Sequence, residues 1–383
     1  MIKNATAPNS TAQALKQQLS NPITSTGEDL RDSLVHTAED RENYLEAAAL
    51  TDRLIQFGLQ EIKPGRTVFE ICRLMDQEME RVVAEEPGKR GIAFPCAVSY
   101  NDIICHLSPA EYDEKVAVNA GDLVKIELGM HVNQCPAFAC HSFVLGTNAD
   151  GVTQGRDANL LMAAWTAARA TARQLRPGCK FIDIQQKLAH VAEDFGVQYS
   201  QGLMTHLVGK NMLAGDEGII YRPTAEQLKL QDPKAVILPN QVFLVDVVVS
   251  DAQYAVARPT SHFTTIYKRS ASTQALRFKS SRAFLNELTR RFGAMAFNLR
   301  SFDPADAGRR RVAIKECLKA ELIHSYDVIA DYEETARTAR FAFTIITAAE
   351  AEQPATILTH PPFKPDACKN DKNASTATQA LLN

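Results

Sequence analysis

The stretch GDLVKIELGMHV, residues 121–132, decides how the rest of the chain is read. It is a short, mostly apolar run with one acid, Glu127, set into it. A carboxylate inside a β-strand is costly unless a cation, a metal or hydrogen-bond donors satisfy it. A second stretch, NQVFLVDV at residues 240–247, has the same plan, with Asp246 in the place of Glu127. Two acid-bearing strands in one chain point to two halves of a single site.

The flanking sequence repeats as well. KPGRTVFEI (residues 63–71) matches RPGCKFIDI (residues 176–184): a basic residue, Pro-Gly, a helix start, and isoleucine at the ninth place. The Pro-Gly pairs lie 113 residues apart and the two strand acids 119 apart. Each Pro-Gly separates two helices. Before the first, Leu50, Leu54 and Phe57 mark one face of a helix over about 37–59. After it, a capping box from Thr67 to Glu70 opens a helix whose buried stripe is Val68, Ile71, Met75, Met79 and Val82. The second pair spans about 158–173 and 182–195. The spacing predicts two helix-plus-sheet halves about a pseudo-two-fold axis, with Glu127 and Asp246 facing each other near it. Between and around these parts, residues 92–109 predict two short strands with His106 near the second. Residues 138–146 and 341–347 predict strands, and residues 201–215 a loop-rich stretch holding His206.

Of 383 residues, 45% are hydrophobic and 23% charged, which is ordinary globular composition with material for a large core. The eight cysteines form no C-x-x-C pair and no zinc spacing, which fits reduced thiols of an intracellular protein. No signal-peptide core and no run of about 20 apolar residues is present, so a soluble cytosolic or nuclear protein is expected. Residues 1–34 are polar and predict a mobile arm; residues 361–383 predict a polar tail. The net charge of −3 is unevenly spread. Residues 262–325 hold 13 Lys or Arg against five acids, a balance of +8 that leaves −11 on the rest. Clustered positive charge of this kind is an electrostatic footprint for phosphate backbones. Lys268, Arg269, Arg282, Arg290, Arg291, Arg309, Arg310 and Arg311 are its candidate RNA-binding residues. Arg290 and Arg291 are expected to project to solvent from a helix whose Phe284, Leu285, Leu288 and Phe292 pack inward. No helix-turn-helix, zinc finger or RNA-recognition motif offers base-specific readout.

The segments GIAFP and ICHLSP, GDLVKIELGMHV, TTIYKR (264–269), SRAFLNELTRRFGAMAFNLRSF (281–302) and PPFKPD (361–366) together carry a family resemblance. They resemble the pita-bread fold of methionine aminopeptidases and creatinase-type enzymes. The match is strongest to the proliferation-associated, curved-DNA-binding-like members, which look like type-two methionine aminopeptidases but lack peptidase activity. The resemblance covers roughly residues 35–369. It implies an α/β (α+β) pita-bread domain over 35–360, with a basic helical insert at about 257–325.

It also implies where a metal pair would sit. Such peptidases use five ligands, Asp, Asp, His, Glu and Glu, to hold two ions that activate water. Carried onto this sequence, those positions are Glu127, Phe138, His206, Asp246 and Ala342. Phe138 and Ala342 cannot bind a metal. The remaining three lack the charge for two dications. No metal, no cofactor and no catalytic residue is therefore expected. His106 matches the family's substrate-side histidine. Glu127 is expected to pair with Lys125, two residues away on the same strand face, and His206 to be a hydrogen-bonded loop histidine. Ser108, Cys105 and Cys140 have no convincing base partner, which argues against a nucleophilic hydrolase.

The resemblance further implies association with ribosomal RNA and the large ribosomal subunit near the peptide exit, in ribosome biogenesis, translation and growth control. A monomer without membrane contact is expected. The sequence departs from relatives that end in a lysine-rich tail, since only Lys364, Lys369 and Lys372 lie near its end. Two rival readings are a residual metal-dependent methionine aminopeptidase and a protein-interaction or transcription co-regulator module that uses the old substrate cleft.

Overall fold

The computed structural model describes residues 33–113, 115–146, 151–351 and 353–383. Thr37 caps the first helix, α1 (Ala38–Glu61), with its hydroxyl accepting from the Asp40 amide. Helix α2 (Val68–Glu85) opens on the capping box expected at Thr67 and Glu70, and all five residues of its predicted stripe are buried. These two helices cover strands β1 (Arg90–Tyr100), β3 (Leu123–Val132) and β4 (Cys135–Val144), while β2 (Ile103–Cys105) lies in a separate small sheet. The stretch expected as two short strands is instead one of eleven residues and one of three. Pro95 does not stop β1, because it falls at a register shift between Phe94 and Ala97 where no ladder bond is needed.

The second half repeats the arrangement. Helices α3 (Gly155–Gln174) and α4 (Phe181–Asp194) pack together, and α3 covers the inner strands of that half. The strands of that half are β5 (Met204–Val208), β6 (Gly218–Ile220), β7 (Val242–Ser250) and β13 (Thr338–Ile346), of which α3 covers the last two and α4 lies against β6. A short helix, α5 (Ala225–Leu230), interrupts the segment before β7. The main sheet runs β1-β3-β4-β13-β7-β5-β6. The strand expected to close the fold, β13, thus lies at its centre. It is buried on both faces and joins the two halves.

The repeat seen in the sequence is real at the level of backbone bonds. Gly65 and Gly178 both take positive φ, +86° and +89°, in the turn between paired helices. Their amides donate to Val118 O and Ile237 O respectively, each at 2.8 Å. Bridges from Thr67 to Ala117 and from Lys180 to Val236 repeat the same relation. Glycine is needed at both turns because L side chains avoid that conformation.

The remaining elements form a lobe. Strands β9 (Ile266–Arg269), β10 (Ala296–Asn298) and β11 (Ile323–Tyr326) make a three-stranded sheet. Helices α6 (Lys279–Phe292) and α7 (Ala307–Lys319) lie on it over an aromatic cluster that includes Phe284, Phe297 and Phe302. Strand β8 (Ala257–Pro259), placed in the insert from sequence, belongs elsewhere. It pairs with β12 (Ile329–Asp331), which pairs with β2.

Both predicted ends need correction where they are described. Residues 1–32 of the expected arm lie outside the described residues, but Ser33 is fully buried and Leu34 bridges Gln241. The expected tail is docked. Helix α8 (Thr376–Leu382) packs on α3 and α4, Leu381 and Leu382 cover the second core, and Cys368–Lys369 pairs with Thr153–Gln154. Low complexity concealed the two adjacent leucines that seat this helix. No helix among the described residues is long and apolar enough to cross a membrane.

Candidate functional site

Backbone register places Glu127, Cys140, Ala342 and Asp246 in one row across the four adjacent strands β3, β4, β13 and β7. The two acids therefore face each other as the sequence predicts. The residue between them was not foreseen. Arg340 lies two positions before Ala342, so its side chain leaves β13 on the same face. Its guanidinium is 9% exposed and fills the gap. Nε and Nη2 form a fork on Asp246 at 2.8 and 2.7 Å, and Nη1 pairs with the Glu127 carboxylate. Burial opposes the charge on Arg340, yet Asp246 and Glu127 outweigh it and hold the guanidinium firmly protonated.

This corrects the expected partner of Glu127. Lys125 is buried, but its ammonium donates to Asn101 O, Thr338 O and Thr338 Oγ1 at 2.7–3.0 Å. Burial pushes its pKa down to about 7. The signal for Arg340 was present in the sequence: a cation in the apolar run TARFAFTII needs a partner for the same reason that Glu127 does.

The residues do not fit a metal pair. Phe138 and Ala342 offer no ligand, and the Arg340 fork takes both oxygens of Asp246 and one of Glu127. The second Glu127 oxygen accepts the His106 amide at 2.6 Å. Among the described residues no three His, Cys, Asp or Glu side chains converge as a ligand set. His206 is not a loop residue but lies on β5. It is half-buried, its Nδ1 is 2.9 Å from Leu207 O, and desolvation lowers its pKa. His106 sits at φ +68°, with Nδ1 3.0 Å from Asp327 O and its ring against Phe94 and Tyr326. It ties β2 to the lobe. Ser108 donates to Cys96 O, and burial raises the Cys105 and Cys140 thiols, so none of the three is an activated nucleophile.

Above the row lies a cavity of about 280 Å³ with apolar walls that include Phe94, Phe138, Leu213 and Leu244. One side is formed by the lobe, through Lys268, His324 and Tyr326. Lys268 therefore faces the cleft, not the outer surface.

The basic residues of the lobe divide into two groups. Arg310 is buried, donates to Asp303 O and lies over the Phe302 ring at 4.8 Å. Its assignment to a solvent-facing phosphate surface is corrected: the α7 phase turns it inward. Arg291 keeps some exposure, but it pairs with Glu287, donates to Ser301 O and stacks on Phe302. Arg282 is exposed but donates from Nη1 to Leu276 O and Arg277 O. Arg269 is half-buried on β9. Arg290, Arg309 and Arg311 are exposed, together with Arg277, Lys279, Lys315 and Lys319, which the candidate residues omitted. Arg300, also in the charged run, is an anchor. It forks onto Asp76 at 2.6 and 3.0 Å and donates to Ser108 O and Pro109 O.

Two helix-covered half-sheets meeting over a row of acids define the pita-bread architecture, here with a guanidinium between the acids. The chain belongs to metallopeptidase family M24, whose profile matches residues 42–264. It is 28% identical to the curved DNA-binding protein of Schizosaccharomyces pombe, over 91% of this chain and 90% of that one. It is also 28% identical to ERBB-3 binding protein 1 of Solanum tuberosum, over 75% of this chain and 73% of that one. A type-two methionine aminopeptidase of Colletotrichum graminicola aligns at 23%, over 79% of this chain and 68% of that one. In fold, the structure of a thermophilic Arx1 matches with a TM-score of 0.82 at 21% identity, over 91% of this chain and 98% of that one.

Proposed function

We propose that this chain is a non-catalytic M24 protein that docks on the large ribosomal subunit through rRNA backbone phosphates near the peptide exit. On this reading it serves ribosome biogenesis, translation and growth control. The observation that carries the loss of catalysis is the Arg340 fork, which supplies from within the chain the positive charge that a metal pair would bring. The relatives at 28% identity carry names of binding proteins and the aminopeptidase aligns at 23%, which supports the same reading. The docking surface is the exposed cationic side of α6 and α7, where Arg290, Arg309, Arg311 and Lys315 stand free of the lobe core. Such a protein works in the cytoplasm, with passage through the nucleus or nucleolus where subunits are assembled.

The test is co-sedimentation with large subunits at fixed salt. Arg290→Glu with Arg309→Glu and Arg311→Glu should move the protein from the subunit fraction to the top of the gradient. Unchanged sedimentation of a folded triple variant would overturn the docking surface.

A second reading is favoured by one observation, the apolar cavity beside Arg340. It would hold a segment of a partner protein. Binding that survives nuclease and is lost in Leu213→Arg would support it over RNA docking.

A further inference from the structure

A second cavity lies on the helix-covered face of the main sheet, away from the cleft. Trp165 of α3 packs on Phe341 and Phe343, the neighbours of Ala342 on β13. Helix α3 therefore lies behind the sheet, opposite the row of acids. After β13 the two-residue strand Thr356–Ile357 pairs back onto Ile346 and Ile345. The chain then reaches α1. There the His360 amide donates to Asp52 at 2.7 Å, and His360 Nδ1 lies 3.4 Å from the other oxygen of that carboxylate. This segment and α3 border a cavity of about 270 Å³, lined by Arg169, Ala172, Arg173, Ala355, Ile357 and His360.

The positive charge in this cavity is uncompensated. Arg169 and Arg173 stand one turn apart on α3, where side chains four residues apart are neighbours, with Cβ atoms about 5–6 Å apart. Both are half-buried. Burial and the charge of Arg173 together push the Arg169 pKa down, and no acid pushes it back. The neighbour of the Arg169 guanidinium is an aromatic face, the Trp165 ring, at 5.9 Å. Asp52 on the far rim has both oxygens engaged by His360. Arginines on an open helix face are solvated and need no partner. This pair differs because two like charges are partly withdrawn from water around one hollow, a setting that favours a counter-charge. Guanidinium N–H donors match the oxygens of a phosphate group, and two of these cations balance a dianion. The volume is at the lower end of ligand sites, about 300–1,000 Å³, so the occupant is small. Ala172, Ala355 and Ile357 offer apolar wall to a short carbon body.

We propose that Arg169 and Arg173 form a binding site for a small phosphate dianion, either the free ion or the head of a small phosphate monoester. The site is separate from the basic lobe and does not depend on the docking reading above. It lies between α3 and a segment bonded to α1, so its occupant links the two halves of the fold.

Isothermal titration and thermal melting of the full chain test this with inorganic phosphate and glycerol phosphate, against acetate and chloride at the same ionic strength. The phosphates should bind at one site per chain and raise the melting midpoint, and acetate and chloride should do neither. The tighter of the two probes identifies the source: inorganic phosphate for the free ion, glycerol phosphate for an ester. Arg169→Gln and Arg173→Gln should each weaken phosphate binding about 10- to 100-fold. Without ligand each variant should melt no lower than wild type, because removing one cation relieves the repulsion. Arg169→Lys keeps the charge without the fork and should bind more weakly than wild type but more tightly than Arg169→Gln. Absence of phosphate binding by both readouts overturns the proposal, as does a response that acetate reproduces. A lower midpoint with unchanged phosphate binding in the glutamine variants also overturns it and marks arginines that only pack. Binding of an RNA duplex lost in those variants, with no response to either phosphate probe, overturns it in favour of a nucleic-acid backbone contact.

Discussion

Removal of the Arg340 guanidinium would leave Glu127 and Asp246 facing each other in a buried row. Breaking a buried ion cluster by deleting one member costs about 3–5 kcal/mol, because the uncompensated charges stay in place. Arg340→Ala should therefore lower the unfolding free energy by about that amount, read as a lower urea midpoint at unchanged m-value. Joint replacement of Glu127, Asp246 and Arg340 by apolar residues should recover much of it. A wild-type midpoint for Arg340→Ala would show that the cluster is solvated. The pH response is set by other buried groups. His141 sits among Phe143, Phe341 and Phe363 with Nδ1 unpartnered, and burial depresses its pKa to about 3. The unfolded chain binds a proton near pH 6.5 and the folded chain does not. Stability from this residue is complete above that pH and is lost as pH falls toward about 3. Between pH 7 and pH 5 the loss is about 2 kcal/mol, and His141→Phe should remove that increment from the pH dependence of unfolding. At this scale the sequence revealed the acids, because each sits in an apolar strand. It also holds Arg340, a cation in the apolar run TARFAFTII whose two partners lie on strands far away in sequence.

Elements were legible wherever local rules act alone. The capping box, the helical stripes and the Pro-Gly turns depend on neighbours within a few residues, and the structure returns them nearly in place. Strand order depends on distant partners, so the central position of β13 and the strand under His206 were not readable. The same holds for the attachment of the lobe, which rests on side chains far apart in sequence. Arg300 connects the end of β10 to Asp76 on α2 and to the loop after β2, with its side chain 6% exposed. Arg300→Ala should cost about 3–5 kcal/mol by leaving Asp76 and the Pro109 carbonyl unpaired, while Ser108 O keeps Thr265 and Asn298 as donors. It should also speed tryptic cleavage within residues 266–326 more than within the main sheet. Equal protease rates across the two regions would mean that the lobe is held by its apolar contacts alone. The docked α8 makes a related point, since its polar composition concealed a helix that Ser375 caps and two leucines seat.

The whole molecule is an acidic body carrying a basic lobe, and that division governs how it would meet a polyanion. The body repels phosphates and the lobe attracts them, so approach is oriented before contact. Only cations whose charged ends stay open to solvent count toward binding. Arg300 and Arg310 are committed to the lobe interior and Arg282 and Arg291 are held by internal bonds at its surface, whereas Arg290, Arg309, Arg311 and Lys315 are exposed, Arg309 with only the exposed Asp306 beside it. Four phosphate contacts on a duplex would give a slope of log K against log salt of about −3.6, or roughly a 100-fold loss of affinity between 50 and 200 mM salt. Arg309→Ala with Arg311→Ala should flatten that slope by about 1.8 with little change in folding stability. Arg310→Ala should do the reverse: it empties the site over Phe302 and lowers stability, while the slope stays as in wild type. Titrations of an rRNA helix at several salt concentrations would separate the two classes. A slope insensitive to Arg309 and Arg311 but altered by Arg310 would place the phosphate contacts on the opposite side of α7.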